Sequence, residues 1–347
     1  MRRNENDRET KVKVAQLDSV GAMALRTLAK PEPGPGEILV KVLAAGICGS
    51  DRHMFKGEYP TAIPVILGHE FCGIVEAVGP AVTRFAGGEL VTVDPNIACG
   101  ICPACRRAQP NLCARLAAVG VTRDGGFAEY AAVPEGQAFM LPPGLDPVHG
   151  AFSEPLACCL HAIDKAQIRA GGSVAILGGG VIGLLMVQLA RLEGAGKIIL
   201  ITRQAPRRDL ALELGATHAF DPTASDTVAE VQALTGGGAD VVIECAGVPE
   251  TFRTGIAMTR RGGNFVLFGV TPAGLEVPMT PFDLLVNEVS IRPAYLNPFT
   301  HDRAVALVAS GVLELDRLVT RTIGLDEVAS VIGSAPAAGE IKVIVRP

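Results

Sequence analysis

The stretch SVAILGGGVIG, residues 173–183, decides the fold of this chain. It opens with a short apolar run and continues, after three glycines, into an apolar segment of helical length. That pattern predicts a strand over Ser173–Leu177, a tight turn, and a helix over Val181–Leu192. Its glycines match G-x-G-x-x-G, in which the first allows the turn, the second lets the backbone approach a pyrophosphate and the third lets the helix pack closely on the strand. The three are Gly178, Gly180 and Gly183.

Because glycine is common here (40 of 347 residues), the motif alone also fits a glycine-rich turn with no ligand. The following segments favour nucleotide binding, since strands alternate with helical stretches as in a parallel, doubly wound sheet. Predicted strands lie at Lys197–Ile201, near His218–Phe220, and at Asp240–Glu244, Asn264–Phe268 and Val289–Pro293, with a helix at Arg208–Leu214. We therefore predict a dinucleotide-binding domain over about residues 160–296. The cofactor's phosphates would contact the start of the helix, at Gly178, Gly180, Val181, Ile182 and Gly183.

Length and composition indicate a two-domain globular protein. The chain has 347 residues, 48% of them apolar and 19% charged. A net charge of −5, no Trp, three Tyr and no basic stripe argue against nucleic-acid binding. No apolar run approaches the roughly 20 residues of a membrane helix, and polar residues after Met1-Arg2-Arg3 argue against a twin-arginine signal. Nine cysteines without a signal sequence indicate metal ligation or buried thiols in a reducing compartment, so we expect a cytoplasmic protein without a membrane partner.

The first half of the chain has a different pattern. Glu37–Ala45 (EILVKVLAA) is a clear strand, and short strands between Gly/Pro-rich turns follow at Gly73–Val78, Glu89–Val93 and Phe127–Val133. This half is therefore predicted to be a mainly β domain, separate from the second half.

A cluster of four cysteines in this half predicts a structural zinc site. Cys99, Cys102 and Cys105 are separated by two residues each, and Cys113 follows. Four thiols so close together readily form a closed tetrahedral zinc site. The alternatives are disulfides, a redox pair, an iron–sulfur cluster or a nucleic-acid-binding zinc ribbon. The presumed compartment disfavours the first, and the acidic balance disfavours the last.

Four further residues are of the types that hold a catalytic zinc: Cys48, His69, Glu70 and Glu154. A catalytic site uses three protein ligands and keeps one position for water or substrate. Taken singly, each residue also fits a buried thiol, a core histidine or a capping carboxylate. Spacing alone does not assemble them.

Together these motifs resemble the zinc-dependent medium-chain dehydrogenase/reductase (alcohol dehydrogenase) superfamily, closest to its polyol (sorbitol-type) and threonine dehydrogenase branch. The resemblance runs from about residue 12 to the end and rests on Gly46–Asp51, Gly68–Glu70, the cysteine cluster, Glu154–Ala157 and the glycine turn. It implies an α/β protein with a GroES-like, mainly β catalytic domain over residues 1–159 and 297–347. A structural zinc lobe would occupy about residues 95–115, and a Rossmann domain residues 160–296.

The resemblance also assigns roles to residues. Cys48 and His69 match the family's zinc ligands, and Glu70 and Glu154 would share or exchange the remaining protein-ligand position. Asp51 would accept the other ring N–H of His69. Ser50 matches the hydroxyl that receives the substrate proton, and His53 matches a more distal relay histidine.

The end of the second Rossmann strand bears on the choice of cofactor. NAD-preferring members carry an acidic residue there, which binds the ribose 2′-hydroxyl. Here the position is Thr202, followed by Arg203, with Arg208 nearby. Without a carboxylate nothing repels a 2′-phosphate, and guanidinium groups bind phosphate well. We therefore predict NADP in preference to NAD, with these three residues around the phosphate; the alternative is a solvated helix start.

The resemblance implies zinc-dependent hydride transfer between NADP(H) and a secondary alcohol or polyol, or its ketone. One alternative is a threonine-type amino-alcohol dehydrogenase using NAD. Another is a non-catalytic zinc-binding relative, which the complete ligand set and Ser50 disfavour. The family also implies a homodimer or homotetramer joined through the sheet edge near Val289–Pro293, with the cysteine lobe as a second candidate interface.

Overall fold

The computed structural model describes residues 10–347, so the N-terminal polar stretch discussed above lies outside the described residues. The chain divides into two compact units. One comprises the residues up to Ala157 together with Pro298–Pro347, and the other is Cys158–Asn297. The sequence prediction placed the boundaries after residues 159 and 296.

The strands, in chain order, are β1 (Lys11–Ser19), β2 (Ala22–Ala29), β3 (Glu37–Gly46), β4 (Val65–Ile66), β5 (Glu70–Val78), β6 (Leu90–Val93), β7 (Asn96–Ile97), β8 (Ala117–Ala118), β9 (Tyr130–Pro134), β10 (Ala138–Met140), β11 (Ser173–Leu177), β12 (Lys197–Ile201), β13 (His218–Phe220), β14 (Ala239–Glu244), β15 (Thr259–Leu267), β16 (Ser290–Pro293), β17 (Val319–Ile323) and β18 (Lys342–Val345). The α-helices are α1 (Gly49–Phe55), α2 (Pro103–Arg106), α3 (Pro147–Gly150), α4 (Ser153–Ala166), α5 (Val181–Leu192), α6 (Ala205–Glu213), α7 (Thr227–Thr235), α8 (Pro249–Met258), α9 (Pro281–Asn287), α10 (His301–Ser310) and α11 (Val328–Gly333).

The main sheet of the first unit brings distant strand ends together. Its order is β10-β6-β5-β3-β18-β17, with β9 also pairing with β3. Strands β5 and β18 flank β3 and run antiparallel to it, so that Gly46 lies opposite Glu70 on one side and Ile344 on the other. The apolar side chains of these strands form a core around Phe71 and Phe127, which are completely buried. The end of β3, the start of β5 and β18 thus meet at one place.

The second unit is built on a parallel sheet of order β13-β12-β11-β14-β15-β16. The strands extend first to one side of β11 and then to the other, which is the doubly wound Rossmann order. All five residues of β11 are buried, as expected for a central strand covered on both faces. The prediction of a mainly β unit joined to a doubly wound α/β unit is confirmed.

Several elements begin earlier than the sequence predicted. Helix α6 starts at Ala205 rather than Arg208, with a proline in its first turn, where proline is tolerated because no helical N–H is lost. Strand β15 starts at Thr259 rather than Asn264, since Gly262 and Gly263 conceal its first half in the sequence. Helices α7 and α8 were not assigned from sequence. Asp226 caps α7 by accepting hydrogen bonds from the first-turn N–H groups.

Candidate metal and cofactor sites

Three candidate metal ligands meet where strands of the first unit end. Cys48 follows β3 and is the N-cap residue of α1, while His69 directly precedes Glu70, the first residue of β5. The ligand atoms of Cys48, His69 and Glu70 all lie within 4.8 Å of one another. His69 and Glu70 are buried, and Cys48 is half-buried. A thiol, an imidazole and a carboxylate so arranged are a donor set that suits zinc.

The imidazole of His69 lies between two side chains of α1. Its Nε2 is 3.2 Å from Oγ of Ser50, and its Nδ1 is 3.4 Å from Oδ1 of Asp51. The other oxygen of Asp51 accepts the N–H of Cys48 at 2.8 Å, which fixes the carboxylate. Nδ1 of His69 and Oδ1 of Asp51 are buried, and neither has a hydrogen-bond partner within residues 10–347. Two facing buried polar atoms of this kind fit a histidine that binds a metal through Nε2 and directs Nδ1–H toward the carboxylate.

The same neighbours control the protonation of His69. Burial alone would lower the pKa of the ring, but Asp51 and Cys48 outweigh it and raise the pKa of His69 well above 6.5. Without a metal, these neighbours therefore favour the imidazolium form of the ring. A metal ion that binds Nε2 must displace that proton, and a dication replaces the positive charge that the surrounding anionic groups favour.

A lysine that the sequence analysis did not single out contributes to the charge balance of this site. Nζ of Lys342, on β18, forms an ion pair with Oε2 of Glu70 and donates a hydrogen bond to the carbonyl of Ile47 at 3.2 Å. The Lys342 and Glu70 side chains are 0% and 2% exposed. Burial lowers the pKa of Lys342, but Glu70, Cys48 and Glu154 outweigh it and raise that pKa, so the ammonium keeps its charge. The available sequence signal was a lysine at the head of an apolar strand, KVIV.

Glu154, the fourth predicted ligand, is buried in the first turn of α4 but does not belong to the three-residue group. Its charge acts on Lys342, which places it in the neighbourhood of the site. The structure thus brings together three of the four predicted ligands.

The predicted relay histidine, His53, lies further along α1. Its Nδ1 is 2.6 Å from Oε2 of Glu58, and the two side chains are 32% and 39% exposed. This carboxylate, which sequence reasoning missed, holds one ring nitrogen of His53 near the protein surface.

The four cysteines after β7 gather around one point. Sγ of Cys102 lies 3.5 Å from Sγ of Cys105 and 3.9 Å from Sγ of Cys113. Zinc–sulfur bonds of about 2.3 Å in a tetrahedron place the sulfur atoms about 3.8 Å apart, which matches this spacing. Backbone N–H groups of Ile101 and Cys102 lower the pKa of Cys99 to about 6, whereas desolvation and the Cys102 thiol raise the pKa of Cys105 to about 12. The thiols of the cluster therefore do not all lose their protons readily by themselves. A bound dication favours the thiolate form of each, so the residues fit a structural zinc.

The glycine turn of the second unit has the geometry of a phosphate-binding loop. Gly178 has a φ of +109°, which favours glycine, and a Cβ on Gly183 would collide with the carbonyl oxygen of Gly178. Gly180 is the N-cap residue of α5, with no side-chain cap on the first helical residues, Val181 and Ile182. The turn therefore presents bare backbone at a helix N-terminus.

The residues predicted around a 2′-phosphate follow β12. A Cβ on Gly179 would lie 2.8 Å from the side chain of Thr202, so Thr202 borders the glycine turn. Arg203 is exposed. Arg208 is engaged within the protein, since its Nη1 donates to the carbonyl of Thr202 at 2.8 Å and lies 3.0 Å from Oδ2 of Asp221. Arg208 thus fastens the loop after β12.

Within the described part of the chain, no helix is both long and apolar enough to cross a membrane.

Two family models match this chain. One, described as the alcohol dehydrogenase GroES-like domain, matches residues 34–143, and the other, described as zinc-binding dehydrogenase, matches residues 181–309. Among named relatives, a sorbitol dehydrogenase of Bacillus subtilis strain 168 is 33% identical over 322 residues, covering 91% of each chain. An L-threonine 3-dehydrogenase of Pyrococcus abyssi is 35% identical over 299 residues, covering 84% of this chain and 85% of that protein.

A similar solved structure is that of a candidate zinc-binding dehydrogenase from Sinorhizobium meliloti 1021 bound to NADP. It has a TM-score of 0.95 and 54% sequence identity, covering 97% of this chain and 99% of that one.

Proposed function

This chain belongs to the zinc-dependent medium-chain dehydrogenase family, and from that membership we propose that it transfers a hydride between NADP(H) and a secondary alcohol or polyol, or the corresponding ketone. One observation carries the proposal. Cys48, His69 and Glu70 converge, with the hydroxyl of Ser50 3.2 Å from Nε2 of His69. A metal donor set and a hydroxyl suited to proton transfer therefore occupy the same place.

Each side chain around this group has a separate role in the proposed reaction. Cys48, His69 and Glu70 would hold the catalytic zinc, with the ring of His69 oriented by Asp51. Zinc bound there supplies a Lewis acid that polarises the oxygen of the alcohol or ketone. With Nε2 of His69 serving as a ligand, the hydroxyl of Ser50 would accept the alcohol proton at Oγ while passing its own proton on.

His53 would be the more distal group of this proton relay. Glu58 holds Nδ1 of this ring at 2.6 Å, so the histidine is oriented to pass a proton to solvent. The hydride chemistry itself belongs to the nicotinamide.

Preference for NADP over NAD rests on the end of β12. Thr202 stands where an acidic residue would bind the 2′-hydroxyl of NAD and repel a phosphate, and the exposed Arg203 offers a guanidinium. Arg208 contributes by holding the carbonyl of Thr202. The NADP-bound relative from Sinorhizobium meliloti supports the assignment.

Relatives named for a polyol and for an amino alcohol match at similar identity, 33% and 35%. The test is therefore a panel of secondary alcohols, polyols and L-threonine with NADP or NAD, followed by the absorbance of reduced nicotinamide. We expect turnover of a polyol or secondary alcohol with a higher kcat/KM for NADP, and loss of turnover in His69→Ala. A zinc-loaded protein that oxidises none of these substrates, or a fully active His69→Ala, would overturn the proposal. Higher kcat/KM for L-threonine with NAD would replace it by the amino-alcohol activity.

We also propose a homodimer or homotetramer formed through β16. This strand lies at the edge of its sheet, and the preceding helix α9 exposes Phe282 and Leu285 at 68% and 73%. Light scattering should give at least twice the chain mass, reduced in Leu285→Glu. A monomeric wild type would refute the assembly.

A further inference from the structure

We propose that Lys342 is a resident counter-cation of the Cys48–His69–Glu70 site, which pairs with Glu70 when the metal is absent and opposes the metal for that carboxylate. Lys342 thereby limits how tightly the site binds zinc. The inference rests on the proposed function only in that these three residues form a metal site.

The burial of Lys342 shows how unusual its position is. Among residues 10–347 it is the only buried lysine or arginine, and its side chain is 0% exposed. Removing an ammonium from water is strongly unfavourable unless it is paired and hydrogen-bonded. Here Glu70 supplies the opposite charge, the carbonyl of Ile47 accepts a hydrogen bond at 3.2 Å, and the ring of Phe152 lies 6.0 Å from Nζ.

The backbone leaves room for this ion pair. Gly46 lies opposite Glu70 in the register of β3 and β5. A Cβ on Gly46 would collide with Oε2 of Glu70, and it would lie 2.6 Å from Cε and 2.8 Å from Nζ of Lys342. Glycine at this position therefore admits both side chains between the strands.

The anionic groups nearby explain what the lysine does. Asp51, Glu70 and Glu154 are buried carboxyl groups, and the thiol of Cys48 is half-buried beside them. Without a metal, these groups repel one another, and Lys342 supplies a compensating charge that keeps the empty site assembled. When a dication binds, the ammonium repels it and retains one oxygen of Glu70.

Replacing Lys342 by methionine should therefore change the two states in opposite directions. The metal-free protein loses stability because a buried carboxylate is left unpaired. In the zinc-loaded protein the ammonium no longer repels the metal or holds an oxygen of Glu70, so the zinc affinity rises.

The experiment measures zinc affinity by chelator competition and melting temperature with and without zinc. The relevant zinc is the one that His69→Ala fails to bind. We expect Lys342→Met to bind it at least about tenfold more tightly than wild type and to melt lower when metal-free. Lys30→Met is the matched control, since it removes a half-buried lysine that pairs with Glu76 at 3.1 Å in the same unit, and it should leave zinc affinity unchanged. Unchanged or weaker zinc binding by folded Lys342→Met would overturn the inference.

A second comparison works even if that variant does not fold. Glu70→Gln leaves a lone ammonium beside the metal, whereas Glu70→Gln/Lys342→Met places two neutral side chains of similar size there, a replacement that buried ion pairs commonly tolerate. The double variant should bind zinc more tightly than Glu70→Gln, and equal or weaker binding would contradict the role of Lys342. If wild type binds no more zinc than His69→Ala, the metal site and both proposals fail. If wild type binds that zinc and removing Lys342 changes nothing, only the counter-cation fails.

Discussion

Asp51→Asn should weaken zinc binding at the Cys48 site by about 10- to 100-fold while leaving the fold intact. The carboxylate is 0% exposed and has two separable contacts. Oδ2 accepts the N–H of Cys48 at 2.8 Å, and Oδ1 faces Nδ1 of His69 at 3.4 Å. An asparagine oxygen can still accept the N–H of Cys48, so α1 keeps its start, whereas the negative charge beside the ring is lost.

The expected magnitude follows from that single loss. A 10- to 100-fold change corresponds to about 1.4–2.8 kcal/mol of zinc binding, which is the range of one buried hydrogen bond to a charged group. The assay is chelator competition on the purified protein, with thermal melting as a check on the fold. Asp226→Asn is the control, since asparagine caps a helix as well as aspartate and Asp226 caps α7 in the other unit. The reasoning fails if Asp51→Asn binds zinc as tightly as wild type, or if it destabilises the zinc-loaded and zinc-free proteins equally.

Three further predictions test separate parts of the structure. Cys102→Ser should remove one zinc per chain and lower the melting temperature while the zinc that depends on His69 stays, and an unchanged metal count by mass spectrometry would contradict the structural site. Glu58→Gln should leave zinc content unchanged and lower kcat roughly threefold to tenfold because His53 loses its orienting carboxylate; a wild-type kcat would exclude that role. His301 is 2% exposed, and burial lowers its pKa from 6.5 to about 3, so the unfolded chain takes up a proton that the folded chain refuses. The free energy of unfolding should therefore fall by up to about 4–5 kcal/mol as the pH drops from 6.5 to 3. In denaturant titrations between those pH values, His301→Gln should lose less stability than wild type. The same pH dependence in both proteins would refute this role of His301.

The second unit was predictable because its signals are local. Strand β11 and helix α5 lie at the residues expected from SVAILGGGVIG and the apolar run after it. Glycine spacing and apolar runs act within a few residues, so a window of sequence contains them. The spacing of Cys99, Cys102 and Cys105 is local in the same sense.

The candidate metal group of Cys48, His69 and Glu70 was not predictable from spacing. Cys48 and Glu70 meet because Gly46 lies opposite Glu70 in the register of β3 and β5, and a single sequence does not reveal that register. These ligands were found through the family resemblance. Lys342 was missed because its hydrogen bond to Ile47 spans 295 residues, and its burial makes sense only beside Glu70.

Arg208 is a second residue whose contacts could not be predicted from the sequence alone. The sequence predicts it near a 2′-phosphate because it lies close to Thr202, and the fold adds Asp221 at 3.0 Å as a partner, which the sequence did not indicate. Asp221 directly follows the neighbouring strand β13, and sequence proximity does not reveal such a partner.

The metal site itself is tested most directly by an anomalous difference map recorded from crystals of the zinc-loaded protein at the zinc absorption edge. One peak should lie among Sγ of Cys48, Nε2 of His69 and the carboxylate of Glu70, in addition to a peak among the four cysteines. A map with density at the cysteines alone would contradict the catalytic site and the hydride-transfer function built on it.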